Sequence, residues 1–283
     1  MRRSDVTLIV VVGALAVFVA SQMVTRRPLP RHVLAPQPTP VADVAPAGAA
    51  QSANQASAAN AVSDSTRNAG LTVSGDIAVG TTHSATAAPE RDLTQIRAHI
   101  AETPGTYMTD MIADLDGRLV RWPDRRQEGL RIWVQSSSAI PNWDLQYAQL
   151  ARDAFDDWGR DSELPIRFDF VLDSASSDIR VVWANRFDAS FGQRVGMTRR
   201  TSDQFGWLVN AEIEVAIHDS AGRTIPPPGL AGIVRHEAGH ALGMGHSRDQ
   251  RTKMFPTEMR SDITSADRST LRLLYQLPPG LAR

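Results

Sequence analysis

HEAGHALGMGH, His236–His246, holds three of the chain's seven histidines in eleven residues. On an α-helix, residues four apart lie on one face, one turn apart, so His236 and His240 present two imidazoles to the same point. Neutral imidazole is a good zinc ligand at about 2.0–2.1 Å. A third ligand on the next turn would crowd the position that a catalytic metal keeps for water, so the chain has to leave the helix and double back. Gly243 permits this, because glycine tolerates the left-handed conformation that ends helices, and Gly245 adds further freedom. His246 then arrives as the third ligand. Three neutral ligands leave a divalent ion its full charge and an open position, where the pKa of water falls from 15.7 to about 7. Glu237, beside the first ligand, is placed to take the proton without binding the metal. The set supplies a nucleophile, a Lewis acid and a proton carrier, which amide hydrolysis requires. A short H-E-x-x-H alone carries a false-positive risk; here a glycine and a third histidine fall in step with it.

The stretch resembles the extended zinc motif of the metzincin metalloproteases, H-E-x-x-H-x-x-G-x-x-H. That family carries a methionine turn below the metal, and Met254 stands eight residues past His246 in HSRDQRTKMFP. Ser247, the short spacing and Pro256 resemble the matrixin branch, from which Phe255 departs mildly, a tyrosine being usual there. Pro256 excludes the tyrosine that follows the methionine in the astacin-like branch. The resemblance implies an α+β, zincin-like catalytic domain with a mixed twisted sheet, an active-site helix and a C-terminal helix. It implies one catalytic Zn2+ on His236, His240 and His246, with Glu237 as general base and Gly243 and Met254 structural at the site. It also implies a protein or peptide substrate lying extended along an edge strand. By position QRVGMTRR is that edge, and TEMRSDIT after the methionine lines the specificity pocket. The likeness covers roughly Arg118 to Pro279. The chain has no cysteine, so the propeptide thiol that keeps secreted animal matrixins latent has no counterpart. The pattern for the family's second, structural zinc is not visible: His99 and His218 stand alone and are read as non-ligands. Calcium stays open, because its sites use scattered carboxylates and carbonyls.

Outward from the motif, RDLTQIRAHI has helical spacing at Leu93, Ile96 and Ile100. GRLVRW and LRIWVQ read as strands. NWDLQYAQLARDAFDDWGR is the clearest helix, with Trp143, Tyr147, Leu150, Ala154 and Trp158 in one apolar stripe and Gly159 at its end. IRFDFVL and DIRVVW read as strands, and WLVNAEIEVAI alternates with Val209, Ala211, Ile213, Val215 and Ile217 on one face. In QRVGMTRR the paired arginines suit an edge, where charge opposes stray pairing. IPPPG then breaks the chain before a helix from Leu230 to about Leu242. A final helix opens at TSAD, where Thr264 and Asp267 form a capping-box pattern.

The 283 residues carry a formal net charge of −1, which lacks the basic footprint of a nucleic-acid partner. Met1–Arg27 contain Arg2, Arg3 and an apolar run from Val6 to Val24, read as a signal anchor in preference to a cleaved signal peptide. Either reading puts the rest outside the cytoplasm, membrane-anchored or secreted. Residues 28–90 are rich in Pro, Ala and Ser and read as a disordered tether, in which His32 and His83 are solvated. Residues 91–117 form a lead-in helical segment, expected to lie over the cleft, and 118–283 form the catalytic domain. Two other classes compete with a zinc endopeptidase. One is a catalytically inactive zinc-binding fold that recognises extended peptides, which Glu237 disfavours; the other is a surface adaptor with an accidental motif, which would bind no stoichiometric zinc.

Overall fold

The computed structural model describes residues 78–83, 88–160, 163–257 and 262–282. The apolar run Val6–Val24 and most of the proposed tether lie outside them. No helix among the described residues is long and apolar enough to cross a membrane.

The strands are β1 (Ala78–Thr82), β2 (Arg118–Leu119), β3 (Arg125–Val134), β4 (Ile166–Val171), β5 (Ile179–Ala184), β6 (Gly196–Asp203), β7 (Leu208–Ala216) and β8 (Gly280–Leu281). The helices are α1 (Leu93–Glu102), α2 (Met108–Asp114), α3 (Gln146–Gly159), α4 (Pro227–Ala241) and α5 (Ser265–Gln276). Six strands make one mixed sheet in the order β1-β6-β7-β5-β3-β4. β3, β4, β5 and β7 run parallel, and β6 turns back antiparallel to β7. β2 and β8 pair antiparallel in a small second ladder that ties the chain's last residues to the start of the domain. GRLVRW therefore contributes only Arg118–Leu119 to a ladder, with Arg121 bridging to Trp207. The observed architecture is the α+β, mixed-sheet arrangement expected of the motif.

α4 is apolar on nearly every side and is buried accordingly, from Gly229 to Ala241 with Arg235 the one residue outside that set. A helix hydrophobic all round belongs in the interior. It packs on α3 and against β6 and β7, while α3 covers β3 and β4. The prolines of IPPPG open α4 instead of stopping the chain: Pro226 is its N-cap and Pro227 its first residue. Proline is tolerated there because that N–H has no intrahelical partner. The α3 stripe packs as expected, with Tyr147, Ala154 and Trp158 buried. α5 starts at the expected capping box, in which Thr264 and Asp267 bond reciprocally.

Two strand details differ from the simple alternation. Val209 is exposed and Leu208 buried, because the β6–β7 register shifts between Thr201 and Ser202 and leaves Val209 as the extra residue of a bulge. The paired arginines Arg199 and Arg200 of QRVGMTRR point to opposite faces, as the period of two requires. Arg199 faces out and pairs with Glu214 at 3.0 Å, whereas Arg200 is 2 % exposed beneath α4. Outside β6, β1 pairs in parallel from Ala78↔Arg199 to Thr82↔Asp203, so the arginine pair does not lie at the sheet edge expected of it, and residues 78–82, expected in the disordered tether, are a strand of the sheet.

The lead-in segment is packed into the domain. Ile96, Tyr107, Met108 and Met111 are buried in the same core as the sheet and α4. Tyr107 donates from its hydroxyl to Asp267 at 2.7 Å and from its N–H to Thr270 at 3.0 Å. Its apolar side chains are drawn into the domain, so α1 and α2 are part of the core.

Candidate metal centre

α4 delivers His236 and His240 from its last two turns, and the turn that follows has the hydrogen bonds of a Schellman motif. The N–H of Met244 donates to Gly239 O at 3.0 Å and that of Gly243 to His240 O at 2.9 Å. Gly243 sits at φ +108°, and a Cβ there would come within 2.2 Å of Val120 O. Only glycine can reverse the chain at this point. Gly245 has a different role from the freedom expected of it: its φ is not positive. A Cβ at this position would come within 3.0 Å of Asp114 and 3.1 Å of Met111, so its lack of a side chain lets α2 approach. Tertiary contacts satisfy the carbonyls at the end of α4. Arg200 donates to His240 O at 2.7 Å and Met244 O at 3.1 Å, Trp122 to Ala241 O at 2.9 Å, and Tyr275 to Leu242 O at 3.0 Å.

His236, His240 and His246 come together, with ligand atoms all within 4.8 Å of one another. Each ring is oriented through Nδ1. His236 Nδ1 lies 2.9 Å from Lys253 O, His240 Nδ1 3.0 Å from Met244 O, and His246 Nδ1 3.1 Å from Asp114 Oδ2. With Nδ1 donating to these acceptors, each neutral ring turns an Nε2 lone pair toward the other two. The His236 and His240 Nε2 atoms are 3.1 Å apart, and the buried His246 Nε2 has no hydrogen-bond partner. Mutually facing acceptors repel one another, and a buried one left unpaired costs about 1–3 kcal/mol. A cation between them removes both penalties. Tetrahedral zinc at 2.0–2.1 Å from each nitrogen would set them about 3.3 Å apart, so the donor set fits that ion. Burial, with the neighbouring His246 adding to it, lowers His236 to about 3, and burial likewise holds His240 well below the ordinary histidine value. Both rings are therefore neutral at physiological pH, as a ligand must be.

Glu237 is wholly buried beside the cluster. Its Oε2 accepts from Thr198 Oγ1 at 2.7 Å, and its Oε1 has no hydrogen-bond partner. Burial pushes its carboxyl up to about 7, against the Thr198 hydrogen bond and the charges of Arg194 and Lys253. A Cβ on Gly196 would meet Glu237 Oε1 at 2.4 Å, so the start of β6 runs directly against this carboxylate. Met254 is fully buried. Its sulfur closes on Gly239, where a Cβ would come within 2.5 Å. Met254 O accepts from Ser247 N at 3.0 Å, tying the methionine turn to the third histidine's loop.

With this geometry, the chain matches the family model for matrixin, a peptidase family, over residues 133–276. The chain belongs to the matrixin family. A search of curated proteins gives no match. As a matrixin the chain is a zinc-dependent metalloendopeptidase with protein substrates, and its catalytic zinc belongs with the three-histidine cluster.

Within this matrixin, His99 meets Gln276, and His218 sits between Asn142 and Asn185, both away from the cluster. The TEMRSDIT loop falls in large part on residues 258–261, outside the described residues. Sequence reasoning missed Asp114, Thr198, Arg200 and the Lys253 carbonyl. Thr198 carries a usable signal: in MTRR it alternates onto the face opposite Arg199, which puts it toward α4. Asp114 carries none, since nothing local links MIADLDG to a histidine 132 residues away.

Proposed function

We propose that His236, His240 and His246 hold the single catalytic zinc and that Glu237 is the general base of peptide-bond hydrolysis. The observation that carries this reading is the convergence of three Nε2 atoms beside a carboxylate oxygen with no hydrogen-bond partner. Zinc, when bound, polarises the scissile carbonyl and lowers the pKa of water to about 7. Glu237 takes the proton of the attacking water on Oε1 and hands it to the departing amine nitrogen. Thr198 keeps Oε2 engaged, so that Oε1 is the atom left to move the proton. Gly243 and Met254 hold the third ligand and the floor of the site. The extended peptide adds to the outer edge of β6 at Gly196–Thr198, beside Glu237. The described residues of β1 pair with Arg199–Asp203, further along the same strand. Backbone bonds along such an edge give affinity, while a pocket beside the metal sets side-chain preference.

The N-terminal run Val6–Val24 serves as a membrane anchor, with the residues between it and β1 as its tether and the peptidase outside the cytoplasm. Its length and the flanking arginines support the anchor reading, while arginines on both sides leave the orientation to the targeting role of such a leading segment.

The test uses the full-length chain and its Glu237→Gln variant, with metal analysis and a peptide library. About one zinc per chain is expected in both, as a three-histidine site implies. Hydrolysis is expected only from the parent, the variant falling by 10²–10⁴-fold or more, as loss of a general base does. Cleavage that survives in the variant removes Glu237 from the role. Zinc-loaded parent without cleavage of any peptide favours the inactive peptide-binding alternative.

A further inference from the structure

The three histidines are oriented by unlike means. His236 and His240 lie on α4, and their Nδ1 atoms meet backbone carbonyls, those of Lys253 and Met244. His246 has no helix to hold it: it stands in the irregular segment after Gly243. Its orientation comes from Asp114, the last residue of α2. Asp114 Oδ1 and Oδ2 lie 3.2 Å and 3.1 Å from His246 Nδ1, and Oδ2 also accepts the His246 backbone N–H at 2.9 Å. One carboxylate therefore grips both the ring and the main chain of the same residue. Gly245 is the residue that allows it, as a side chain there would press on Asp114 and Met111. The carboxylate is anchored in turn, because Met108 and Met111 of α2 are buried in the core.

We infer that Asp114 is a positioning residue for the third zinc ligand, supplied by a segment that precedes the residues matched to the family. The inference rests on the metal-site assignment above. A carboxylate on Nδ1–H fixes the tautomer that presents Nε2 and raises the basicity of the ring. It also gives the centre a charged partner on one ligand, where the other two have neutral carbonyls. Asp110, one turn earlier on α2, accepts from Arg248 N at 3.2 Å and faces the Arg248 guanidinium at 3.9 Å, and among the described residues it meets no histidine. It serves as the control.

The experiment compares the full-length parent with Asp114→Ala, Asp114→Asn and Asp110→Asn. Two quantities are read: zinc affinity by competition with a chromophoric chelator, and the visible absorption of the cobalt(II)-loaded protein. Both Asp114 variants should bind zinc about 10–100-fold more weakly, the usual cost of losing such an outer partner, and their cobalt bands should shift. Asp110→Asn should match the parent in both. Parent-like zinc affinity in the Asp114 variants overturns the proposal, and so does weakened affinity with an unchanged cobalt spectrum, which marks a general loosening of the fold. Should Asp114→Ala fail to give a native circular dichroism spectrum, Asp114→Asn decides by the same two criteria. A parent that binds no zinc instead defeats the metal-site assignment, a separate and recognisable result.

Discussion

The turn after α4 and the short helix α2 reach the same histidine by opposite routes. The turn is local: Gly239, His240, Gly243 and Met244 close it with two backbone bonds, and every residue involved lies within six positions. α2 arrives from the other end of the domain and touches His246 through one carboxylate. The first region sets where the third imidazole is, and the second sets which way it faces. Placement of a metal ligand thus follows from chain geometry, while its orientation depends on whatever acceptor the folded core brings up behind it.

The severest challenge to this contrast is Gly243→Ala. Alanine would have to hold φ +108° with its Cβ within 2.2 Å of Val120 O. A loss of about 3 kcal/mol or more is expected from strain and overlap together, with zinc binding lost alongside. Urea denaturation and metal analysis check both. A variant that stays as stable as the parent would show that the turn does not depend on its glycine.

Tyr107→Phe probes the remote side more gently. The hydroxyl that α2's N-cap residue donates to buried Asp267 is removed, while Lys253 N and the Thr264 N–H and hydroxyl still donate to that carboxylate. A loss of about 2 kcal/mol is expected for a buried bond to a charged acceptor, read from the urea midpoint. No change would mean that α1 and α2 are not integral to the domain and would weaken the case for Asp114.

Asp178→Asn is the smallest effect and lies away from both regions. Burial alone would raise the Asp178 carboxyl, but hydrogen bonds from Arg131 and the charges of Arg125 and Arg131 outweigh it and hold the carboxyl below its usual value. A depressed carboxyl contributes stability above its unfolded pKa of about 3.9, and the contribution disappears as pH falls through the lower folded value. Melting temperatures between pH 6 and pH 3 should therefore show a shallower acid limb in Asp178→Asn. Identical limbs would assign the acid sensitivity to other carboxylates. Because Arg131 is half exposed, water screens the pair and the effect stays small.

The three ligands, Glu237, the glycine turn, the buried methionine and the capping box of α5 were all legible in the residues. Each depends on a spacing within one element or one turn, and local periodicity encodes such spacings directly. Within the lead-in helical segment α2 was not separately legible, because seven residues give too short a period to tell from a loop. The bulge at Val209 and the burial of Arg200 were hidden for a related reason: alternation tells which residues share a face, not where a register slips or what lies above that face.

The amino-acid order by itself determined that this chain carries a three-histidine zinc site with a carboxylate beside it, on an α+β matrixin domain. Helix and strand periods are short-range properties, and four residues of sequence are one turn in space. Only the tertiary structure decided what stands behind each imidazole, which oxygen of Glu237 is held by Thr198, and that α1 and α2 belong to the core. Some of those contacts join residues 132 and 163 positions apart, and a hydrogen bond of about 3 Å has no signature in a chain until the core has closed around it.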